Sequence, residues 1–316
     1  MRTVLITGAR GQDGSYLAEQ MLARGDRVVG TSRSHSRTSP TVAGVTWIDW
    51  NPGDPAQLRN ALREVRPNEV YNFAAMSSGA GMHDDPVAIA EVNGMAVARL
   101  LEALRDVAPA ARFCQASSSE MFGLADASPQ SELSPFRPRS PYGAAKLLAH
   151  VMVGEFRRRH GLFACSAILY NHESPRRGEG FVTRRITLGA ARIKLGLDDE
   201  LRLGNLDARR DWGFAPDHVR AMRLMLEHHE PQDYVVATGE LHAVRDVCRV
   251  AFSHVGLDYR DYVREDPALH RPEEAVPLVG DAGRLRGILG WRPQTGFEEM
   301  VRMMVDADMA RIGAGQ

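Results

Sequence analysis

The sequence predicts an α/β fold in which a doubly wound parallel sheet is joined to a smaller C-terminal lobe. Three observations predict it. Short β-branched runs alternate with segments of helical apolar spacing through roughly the first 170 residues. A glycine-rich turn, residues 8–14, separates the first strand from the first helix. Later the alternation weakens, and a helical segment at residues 217–226 is expected to return to the sheet.

Each element follows from a local pattern. β-branched and aromatic runs indicate strands, and apolar residues spaced three or four apart indicate helices. The predicted strands are residues 4–6, 27–30, 45–48, 69–73, 112–116 and 164–169. The predicted helices are residues 15–22, 58–65, 90–104 and 142–160. Because the two types alternate, the strands are expected to lie parallel, as in Rossmann-type folds.

The chain length allows two joined units. With 316 residues and 44% apolar content, the chain can bury one large core or two connected ones. Residues 1–172, together with about 211–242, are predicted to form the Rossmann-type domain. About 173–210 and 243–316 are predicted to form the smaller lobe, interwoven with the first because no linker separates them.

Composition argues against several classes of protein. A net charge of -1 and a pI near 6.8 leave no electrostatic footprint for nucleic acid or an anionic membrane. No apolar signal segment and no run of about 20 apolar residues is present, so a cytoplasmic protein is expected. Cys114, Cys165 and Cys248 are odd in number and widely spaced, which argues against a disulfide framework or a metal site. The expected partner is a small molecule.

The glycine turn predicts a dinucleotide site. Gly8, Gly11 and Gly14 lie between a strand and a helix, where glycines let backbone N–H groups approach a pyrophosphate. An acidic residue at the end of the second strand would bind a ribose 2'-hydroxyl. This strand instead ends at Arg33, with Arg37 close behind. Because Arg33 can pair with a 2'-phosphate, NADP is predicted in preference to NAD.

A tyrosine and a lysine mark the candidate catalytic site. Tyr142 and Lys146 are four positions apart at the start of a predicted helix, so their side chains share one face. The chain contains only two lysines, Lys146 and Lys194, so a chance match to this spacing is improbable. An ammonium and a positive nicotinamide ring are expected to favour the phenolate, which lets Tyr142 act as a base on a sugar hydroxyl.

Ser118 and Glu120 follow the predicted strand 112–116 and suggest acid/base chemistry beyond alcohol oxidation. Ser118 can hydrogen-bond a reacting hydroxyl at the carboxyl edge of the sheet. Glu120 is more informative, because oxidation of an alcohol needs only Tyr and Lys. Elimination of water also needs a group that removes a carbon-bound proton and protonates the leaving hydroxyl. The alternative role of Glu120 is to cap a turn.

Six segments carry a family resemblance. They are residues 8–19 (GARGQDGSYLAE), 115–123 (QASSSEMFG), 139–146 (RSPYGAAK), 171–184 (NHESPRRGEGFVTR), 203–213 (LGNLDARRDWG) and 280–293. Together they resemble the GDP-mannose 4,6-dehydratase family of extended short-chain dehydrogenases/reductases over essentially the whole chain. The block NHESPRRGE is far more specific than any glycine motif.

The resemblance implies roles for individual residues. Ser118 takes the place of the family's catalytic Thr, Glu120 that of its acid/base, and Tyr142 and Lys146 match directly. The implied NADP contacts are Gly8, Gly11, Gln12, Asp13, Gly14, Arg33, Asp49 or Asn51, Ala74, Ala75, Ser77, Tyr142, Lys146, His172 and Arg177. The implied contacts to a GDP-sugar are Ser78, Asn171, Arg185, Leu203, Asn205, Arg210, Arg271 and Glu274. Apart from the family, Arg176, Arg177, Arg184 and Arg185 form a basic cluster suited to a diphosphate.

The implied reaction is redox-neutral. Tyr142 removes the 4-hydroxyl proton while hydride passes from the sugar to NADP. Glu120 then removes the proton at carbon 5 and assists loss of the 6-hydroxyl, and the hydride returns to carbon 6. The product of GDP-mannose would be its 4-keto-6-deoxy derivative.

Departures from the family pattern leave alternatives open. The family's Ala-Gln-Ser-His stretch is residues 75–78 here (AMSS), followed by Gly79-Ala80-Gly81, and a family Tyr is Ala88. Two alternatives within the same chemistry therefore stay open: a GDP-sugar epimerase, and a dehydratase acting on a longer-chain GDP-sugar such as a heptose or octose. A nucleotide-sugar reductase and a non-catalytic NADP sensor also stay open. The segment after Arg33 is shorter than the family's, so a homodimer is expected, with a tetramer as the alternative.

Overall fold

The protein is described by a computed structural model, which covers residues 1–32, 42–77, 83, 85–270 and 276–314. Its strands, in chain order, are β1 Thr3–Thr7, β2 Arg27–Ser32, β3 Thr46–Asp49, β4 Glu69–Asn72, β5 Arg112–Ser118, β6 Ala164–Leu169, β7 Asn171–Glu173, β8 Leu201–Leu203, β9 Arg209–Arg210, β10 Trp212–Phe214, β11 Tyr234–Val236, β12 His242–Ala243 and β13 Val263–Glu265. Its α-helices are α1 Gln12–Ala23, α2 Pro55–Val65, α3 Pro86–Ala90, α4 Ala96–Val107, α5 Pro141–His160, α6 Val182–Lys194, α7 Ala215–Glu227, α8 Val244–His254, α9 Tyr259–Tyr262, α10 Gly283–Leu289 and α11 Phe297–Gly313.

Within these ranges, seven strands form one parallel sheet in the order β11-β6-β5-β4-β1-β2-β3. The chain reverses its direction across the sheet between β1 and β4, and this is the point at which doubly wound sheets bind their ligands. The predicted fold class is therefore confirmed.

The apolar side chains of β1 point alternately to the two faces of the sheet. Val4 and Ile6 join one apolar cluster, and Leu5 joins another, because successive side chains of a strand point to opposite faces. The first cluster includes residues of α1, α7 and α10, and the second includes residues of α2, α4 and α5. The sheet thus has a helical layer on each side, as a buried parallel sheet requires.

A third apolar cluster lies outside this sandwich. Its members come from α6, α8 and α11, with Trp212 and Phe214 of β10. Helix α7, which contains the segment 217–226 that was predicted to return to the sheet, packs on α1. The strand that follows it, β11, pairs with β6. The predicted contact of this segment with the first domain is therefore observed. The numerical domain boundaries stay a prediction.

Three cysteines are free and buried at positions 114, 165 and 248, where they pack in the core. Helices that cross a bilayer need a long, uninterrupted apolar stretch, and no helix within the described ranges has one. The same ranges contain no group of three or more His, Cys, Asp or Glu side chains placed to hold a metal ion.

Candidate active site

The glycine turn between β1 and α1 is shaped for close approach of a ligand. Gly8 has a φ of +68°, and a Cβ there would lie 2.9 Å from the Ala74 nitrogen. A Cβ on Gly14 would overlap the Gly8 carbonyl. Gly11 caps α1 and is exposed, so the first N–H groups of the helix face the crevice. A pyrophosphate fits this cradle, and a larger residue at Gly8 or Gly14 would close it.

A polar network ties this turn to β7. The Gln12 amide nitrogen donates to the His172 carbonyl over 3.0 Å, and its oxygen accepts from the Ser174 hydroxyl over 2.8 Å. The His172 ring donates from Nε2 to Asp13 over 3.0 Å and from Nδ1 to the Tyr170 carbonyl over 2.7 Å. Because both acceptors are oxygens without protons, the ring carries both of its protons.

The ionisation of this pair agrees with its geometry. Burial acts to raise the pKa of Asp13, but the charge and hydrogen bond of His172 outweigh it and lower the pKa to about 2. Burial also acts to lower the pKa of His172, and Asp13 reverses this and raises it. The two implied cofactor residues therefore form an ion pair at the base of the crevice.

The segment after β4 is held by side chains of neighbouring elements. The Thr7 hydroxyl bonds to the Asn72 side chain and accepts from the Ala74 nitrogen over 3.2 Å. Asn93 accepts from the Met76 nitrogen over 2.8 Å and donates to the Met76 carbonyl over 3.0 Å. Ala74 and Ala75 are half-buried and Ser77 is exposed in this segment.

Asn93 is a positioning residue that the sequence analysis missed. It is buried within a single π-helical turn, Glu91–Met95, that interrupts the predicted helix over residues 90–104. Such turns are rare and are frequently found at functional sites. The sequence contained one indication of this role, namely a polar Asn among the apolar positions of the predicted helix 90–104.

Tyr142 and Lys146 lie where α5 begins. The Ser140 hydroxyl accepts from the Gly143 nitrogen over 3.1 Å, and Pro141 occupies the first helical position, so a local cap starts the helix here. Lys146 is buried and donates to the Ala116 carbonyl over 2.8 Å. Its Nζ atom lies 5.7 Å from the centre of the Tyr142 ring.

The phenolate expected with bound cofactor stays a prediction, and in the protein alone the phenol of Tyr142 has a raised pKa. Burial raises the pKa of Tyr142 to about 12; the Ser118 hydrogen bond and Arg177 act against this rise, and the Glu120 charge adds to it. Burial also lowers the pKa of Lys146 to about 8. Desolvation therefore dominates over the attraction that the spacing suggested, because Lys146 bonds a backbone carbonyl and lies nearly 6 Å from the phenol ring.

Ser118 and Glu120 reach the same place from β5. Ser118 hydrogen-bonds Tyr142, and its Oγ accepts from the Glu120 nitrogen over 3.2 Å. A Cβ on Gly143 would lie 2.5 Å from the Glu120 carbonyl oxygen, so α5 packs directly on this segment. The Glu120 carboxylate lies 3.8 Å from the Arg139 guanidinium. The structure thus brings together the four side chains predicted to be catalytic.

A cleft of about 660 Å³ opens beside the glycine turn. Arg176 and Arg177 lie along it. Arg177 pairs with Glu173 over 3.1 Å and stacks on Phe181, and its charge acts on both Tyr142 and Asp13. Arg176 pairs with Glu19 over 2.6 Å.

The predicted basic cluster is only partly one site. Arg184 also borders the cleft but is 2% exposed and lies 2.5 Å from Asp308, so its contact is structural. Arg185 is exposed on α6 and donates to the Arg202 carbonyl over 2.9 Å. The expectation that all four arginines bind one diphosphate is therefore wrong for Arg184.

The other residues predicted to contact the sugar nucleotide lie on or beside short strands, of which β8 and β9 fall in the predicted smaller lobe. Asn171 begins β7, Asn205 follows β8 and Arg210 ends β9, and all three are half-buried. The Leu203 side chain is wrong as a contact, because it is 1% exposed within the apolar cluster of that lobe. Any contact from this position has to use its backbone.

The structure describes only some of the residues predicted to lie on the adenosine side of the cofactor. Asp49 ends β3 and pairs in register with Ser32, while Asn51 follows it and accepts from the Gly53 nitrogen over 3.0 Å. Both are exposed. Arg33, Ser78, Arg271 and Glu274 lie outside the described residues.

Comparison with known proteins finds similar sequences and similar folds along nearly the whole chain. The chain is 46% identical over 325 residues to GDP-mannose 4,6 dehydratase 2 of Arabidopsis thaliana, covering 98% of this chain and 87% of that protein. It is 41% identical to the human GDP-mannose 4,6 dehydratase, covering 96% and 91%. Among solved structures, the UDP-glucose 4-epimerase of Thermus thermophilus in complex with NAD aligns with a TM-score of 0.83 at 29% identity, covering 97% and 98%. The sequence profile described as GDP-mannose 4,6 dehydratase matches residues 5–304, and with the relatives above it shows that the chain belongs to the GDP-mannose 4,6-dehydratase family.

Proposed function

We propose that the protein catalyses the 4,6-dehydration of GDP-mannose. The observation that carries the proposal is the meeting of the Tyr142–Lys146 pair with the Glu120 carboxylate at the carboxyl edge of the sheet, in a chain of this family. A dehydrogenase needs the first pair alone. The carboxylate supplies the acid/base group that elimination of water requires.

We propose NADP as the cofactor of this site. A nicotinamide dinucleotide is bound by the related NAD-complexed epimerase, and the cradle at Gly8, Gly11 and Gly14 suits a pyrophosphate. Arg33 directly after β2 supports the phosphorylated form, because an arginine there can pair with a 2'-phosphate. Further proposed contacts are Gln12, Asp13, Asp49, Asn51, Ala74, Ala75, Ser77, His172 and Arg177.

A nicotinamide dinucleotide held at Gly8, Gly11 and Gly14 would supply the acceptor for the hydride of carbon 4 and the donor of that hydride to carbon 6. Tyr142 accepts the proton of the 4-hydroxyl, which Ser118 orients by its hydrogen bond. Lys146 holds positive charge on the side of Tyr142 that faces β5. Glu120 removes the proton from carbon 5 and delivers a proton to the departing 6-hydroxyl oxygen. When the hydride has returned to carbon 6, carbon 5 takes up the proton that Tyr142 removed from the 4-hydroxyl. Glu120 and Tyr142 thereby both end the cycle in their starting ionisation states.

The GDP moiety is proposed to lie against the second lobe. Asn171, Arg185, Asn205 and Arg210 supply amide and guanidinium groups there, and guanidinium groups suit a diphosphate. Arg271, Glu274 and Ser78 are proposed from the sequence alone.

Mass spectrometry of the product tests the reaction. The protein is incubated with GDP-mannose and NADP, and a product lighter by one water is expected. Loss of this product in Tyr142→Phe would link the reaction to the described site. No turnover of GDP-mannose, with turnover of a GDP-heptose, would favour the second candidate, a dehydratase for longer-chain GDP-sugars. The small residues of the sequence at positions 78–81 motivate that candidate.

We also propose that the protein is a homodimer that joins through α5 and the turn before α4. Leu148 of α5 lies against Gly94, and the side chains beside this contact, Met95 and Val151, are 39% and 52% exposed. Val87 nearby is 73% exposed. Exposed apolar side chains on adjoining helices suit burial by a second copy. Light scattering after size-exclusion chromatography would distinguish a dimer from a monomer or a tetramer.

A further inference from the structure

A buried ion pair joins α6 to α11 beside the cleft. Arg184 of α6 is 2% exposed and Asp308 of α11 is 1% exposed, and their guanidinium and carboxylate groups lie 2.5 Å apart. The other carboxylate oxygen of Asp308 accepts from the Thr187 hydroxyl over 2.8 Å. Apolar side chains of similar volume often stabilise a fold as well as a buried ion pair does. Stability alone is therefore a weak reason for two buried charges at this place.

The Arg184 guanidinium also holds the segment that follows β7. Its Nη1 atom donates to the Pro175 carbonyl over 3.0 Å and to the Arg177 carbonyl over 3.3 Å. Arg311 of α11 donates to the same Pro175 carbonyl over 3.3 Å. A planar guanidinium presents its donors in a fixed geometry, so these bonds restrict where the carbonyls can lie. Residues 174–177, here called the cleft turn, are therefore anchored from α6 and α11.

The cleft turn belongs to the candidate active site. Its Ser174 hydroxyl donates to Gln12 of the glycine turn over 2.8 Å, and the Arg177 nitrogen donates to the Ser174 carbonyl over 2.9 Å. Burial raises the pKa of Tyr142, and the charge of the Arg177 side chain acts to lower it. A displacement of the cleft turn would therefore move a charge that acts on the proposed base and a hydroxyl that is bonded to the glycine turn.

Arg184 acts on this site through the cleft turn and not by touching a ligand. It borders the cleft, but its side chain is buried, and its two Nη atoms face the Asp308 carboxylate and the two carbonyls. Asp308 fixes Nη2, and this leaves Nη1 directed at the turn. The Arg177 side chain is 16% exposed, so a ligand in the cleft can reach it. The buried pair thus sets where the accessible arginine lies.

We propose that Arg184 and Asp308 are positioning residues of the active site: their ion pair anchors the cleft turn and thereby places Arg177 for its contact with the cofactor. The inference rests on the proposed function for that contact of Arg177. It gives α11, a helix of the predicted smaller lobe, a part in holding the cofactor side of the crevice.

Replacement of both charges together separates anchoring from stability. Arg184→Met/Asp308→Leu removes the buried charges as a pair, so the protein is expected to stay folded, while the cleft turn loses its Arg184 donors. The dissociation constant of NADP, measured by calorimetry without any sugar, is expected to rise about 10-fold. Hydrogen exchange followed by mass spectrometry is expected to show faster exchange of the amides of the cleft turn, with the rates of α8 unchanged.

A double-mutant cycle tests whether the pair acts through Arg177. Arg177→Gln alone is expected to weaken NADP binding about 10- to 100-fold. In the Arg177→Gln background, Arg184→Met/Asp308→Leu is expected to cost less than a further factor of about two, because the group that the pair positions is absent. Arg184→Lys keeps a positive charge for Asp308 but lacks the planar fork, so a loss of about threefold is expected, which should also vanish without Arg177.

Arg157→Met/Asp233→Leu is the matched control. Arg157 likewise pairs with a carboxylate, that of Asp233, over 2.7 Å and donates to a backbone carbonyl, that of Ala164, over 2.9 Å. These contacts lie at the edge of the sheet formed by β6 and β11. The control is therefore expected to change NADP affinity by less than about twofold.

Three results would overturn the inference: an unchanged NADP affinity in the folded Arg184→Met/Asp308→Leu protein, an equal loss in the control, or additive losses in the cycle. If Arg184→Met/Asp308→Leu did not fold, Arg184→Lys would take its place in the cycle, with additive losses again as the contrary result. If the unchanged protein bound no nicotinamide dinucleotide, the proposed function would fail, and the hydrogen exchange of the cleft turn would still test the anchoring.

Discussion

Gly143 controls how closely the proposed base approaches the proposed acid. It follows Tyr142 in α5, and a Cβ at Gly143 would lie 2.5 Å from the Glu120 carbonyl oxygen and 3.1 Å from the Pro138 Cβ. Ordinary contact begins at 3.4 Å, so Gly143→Ala requires the helix and the Glu120 segment to separate by 3.4 − 2.5, about 0.9 Å. A misplacement of about 1 Å costs an enzyme about 10²-fold in rate, so kcat is expected to fall by about that factor. Overpacking is also expected to lower the free energy of unfolding by about 1–3 kcal/mol.

The assay is kcat for water loss from GDP-mannose, followed by product mass, with calorimetric cofactor titration alongside. Cofactor affinity is expected to change by less than about threefold, because the glycine turn is not displaced. Gly287→Ala is the matched control: Gly287 is exposed in α10, and its Cβ would meet nothing within 4 Å. That change is expected to stabilise the protein by about 0.5–1 kcal/mol with unaltered kcat. A normal kcat in Gly143→Ala would refute the reasoning, since it would mean that the spacing of Tyr142 and Glu120 does not matter.

Three further changes separate chemistry from stability. Glu120→Gln is expected to lower kcat by about 10²–10⁴-fold while cofactor affinity is kept, and full activity by product mass would remove Glu120 from the mechanism. The lowered pKa of Asp13 stabilises the fold above the ordinary Asp pKa of 3.8, and this stabilisation is lost as the pH falls through about 2. The raised pKa of His172 stabilises the fold below the ordinary His pKa of 6.5, and this stabilisation is lost as the pH rises through the raised pKa. Asp13→Asn is therefore expected to lower the urea-unfolding free energy by about 1–2 kcal/mol at about pH 5 and by far less at about pH 2, and an equal loss at both would argue against the ion pair. Asp211→Ala is expected to lower the unfolding free energy by about 3 kcal/mol in urea, because the buried Asp211 carboxylate accepts from the backbone amides of Thr238, Gly239 and Gly280, and the Gly280 amide is itself buried. A loss under about 1 kcal/mol would show that water replaces the carboxylate.

Patterns within a few residues were sufficient to predict the sheet and the glycine turn. Strand β6 and the helix after Tyr142 were predicted nearly to the residue, because periodicity and the Ser-Pro start of α5 are local features. Helix α2 begins at Pro55, three residues before the predicted start at 58. Its first turn is exposed and is stabilised by Asp54, which accepts hydrogen bonds from two backbone nitrogens of that turn. Apolar spacing cannot detect such a turn.

Long-range polar contacts were not predictable from the sequence. Gln130 is fully buried, and its side chain bonds Tyr170, Val279 and Pro277, which lie 40 to 149 positions away. Asn93 likewise serves a segment 17 positions earlier. An isolated Asn or Gln carries no periodic signal, and its partners become neighbours only when the sheet forms. Helix α6 was not predicted either, because it follows a Gly- and Arg-rich stretch and starts without a side-chain cap.

Burial of Tyr142 and Lys146 links the two halves of the proposed chemistry. Desolvation raises the pKa of the phenol to about 12 and lowers that of the ammonium to about 8, so it drives both groups toward their neutral forms. A phenol that keeps its proton at neutral pH cannot accept one from a sugar hydroxyl. The oxidised nicotinamide ring is the positive charge that this site receives on binding cofactor, and a positive charge beside a buried phenol lowers its pKa. In the proposed mechanism, proton removal by Tyr142 would thus be restricted to the state in which an acceptor for the hydride is present. A Lys146 pKa of about 8 still leaves the group mostly protonated near pH 7, so Lys146 would contribute its charge while it is bonded to the Ala116 carbonyl.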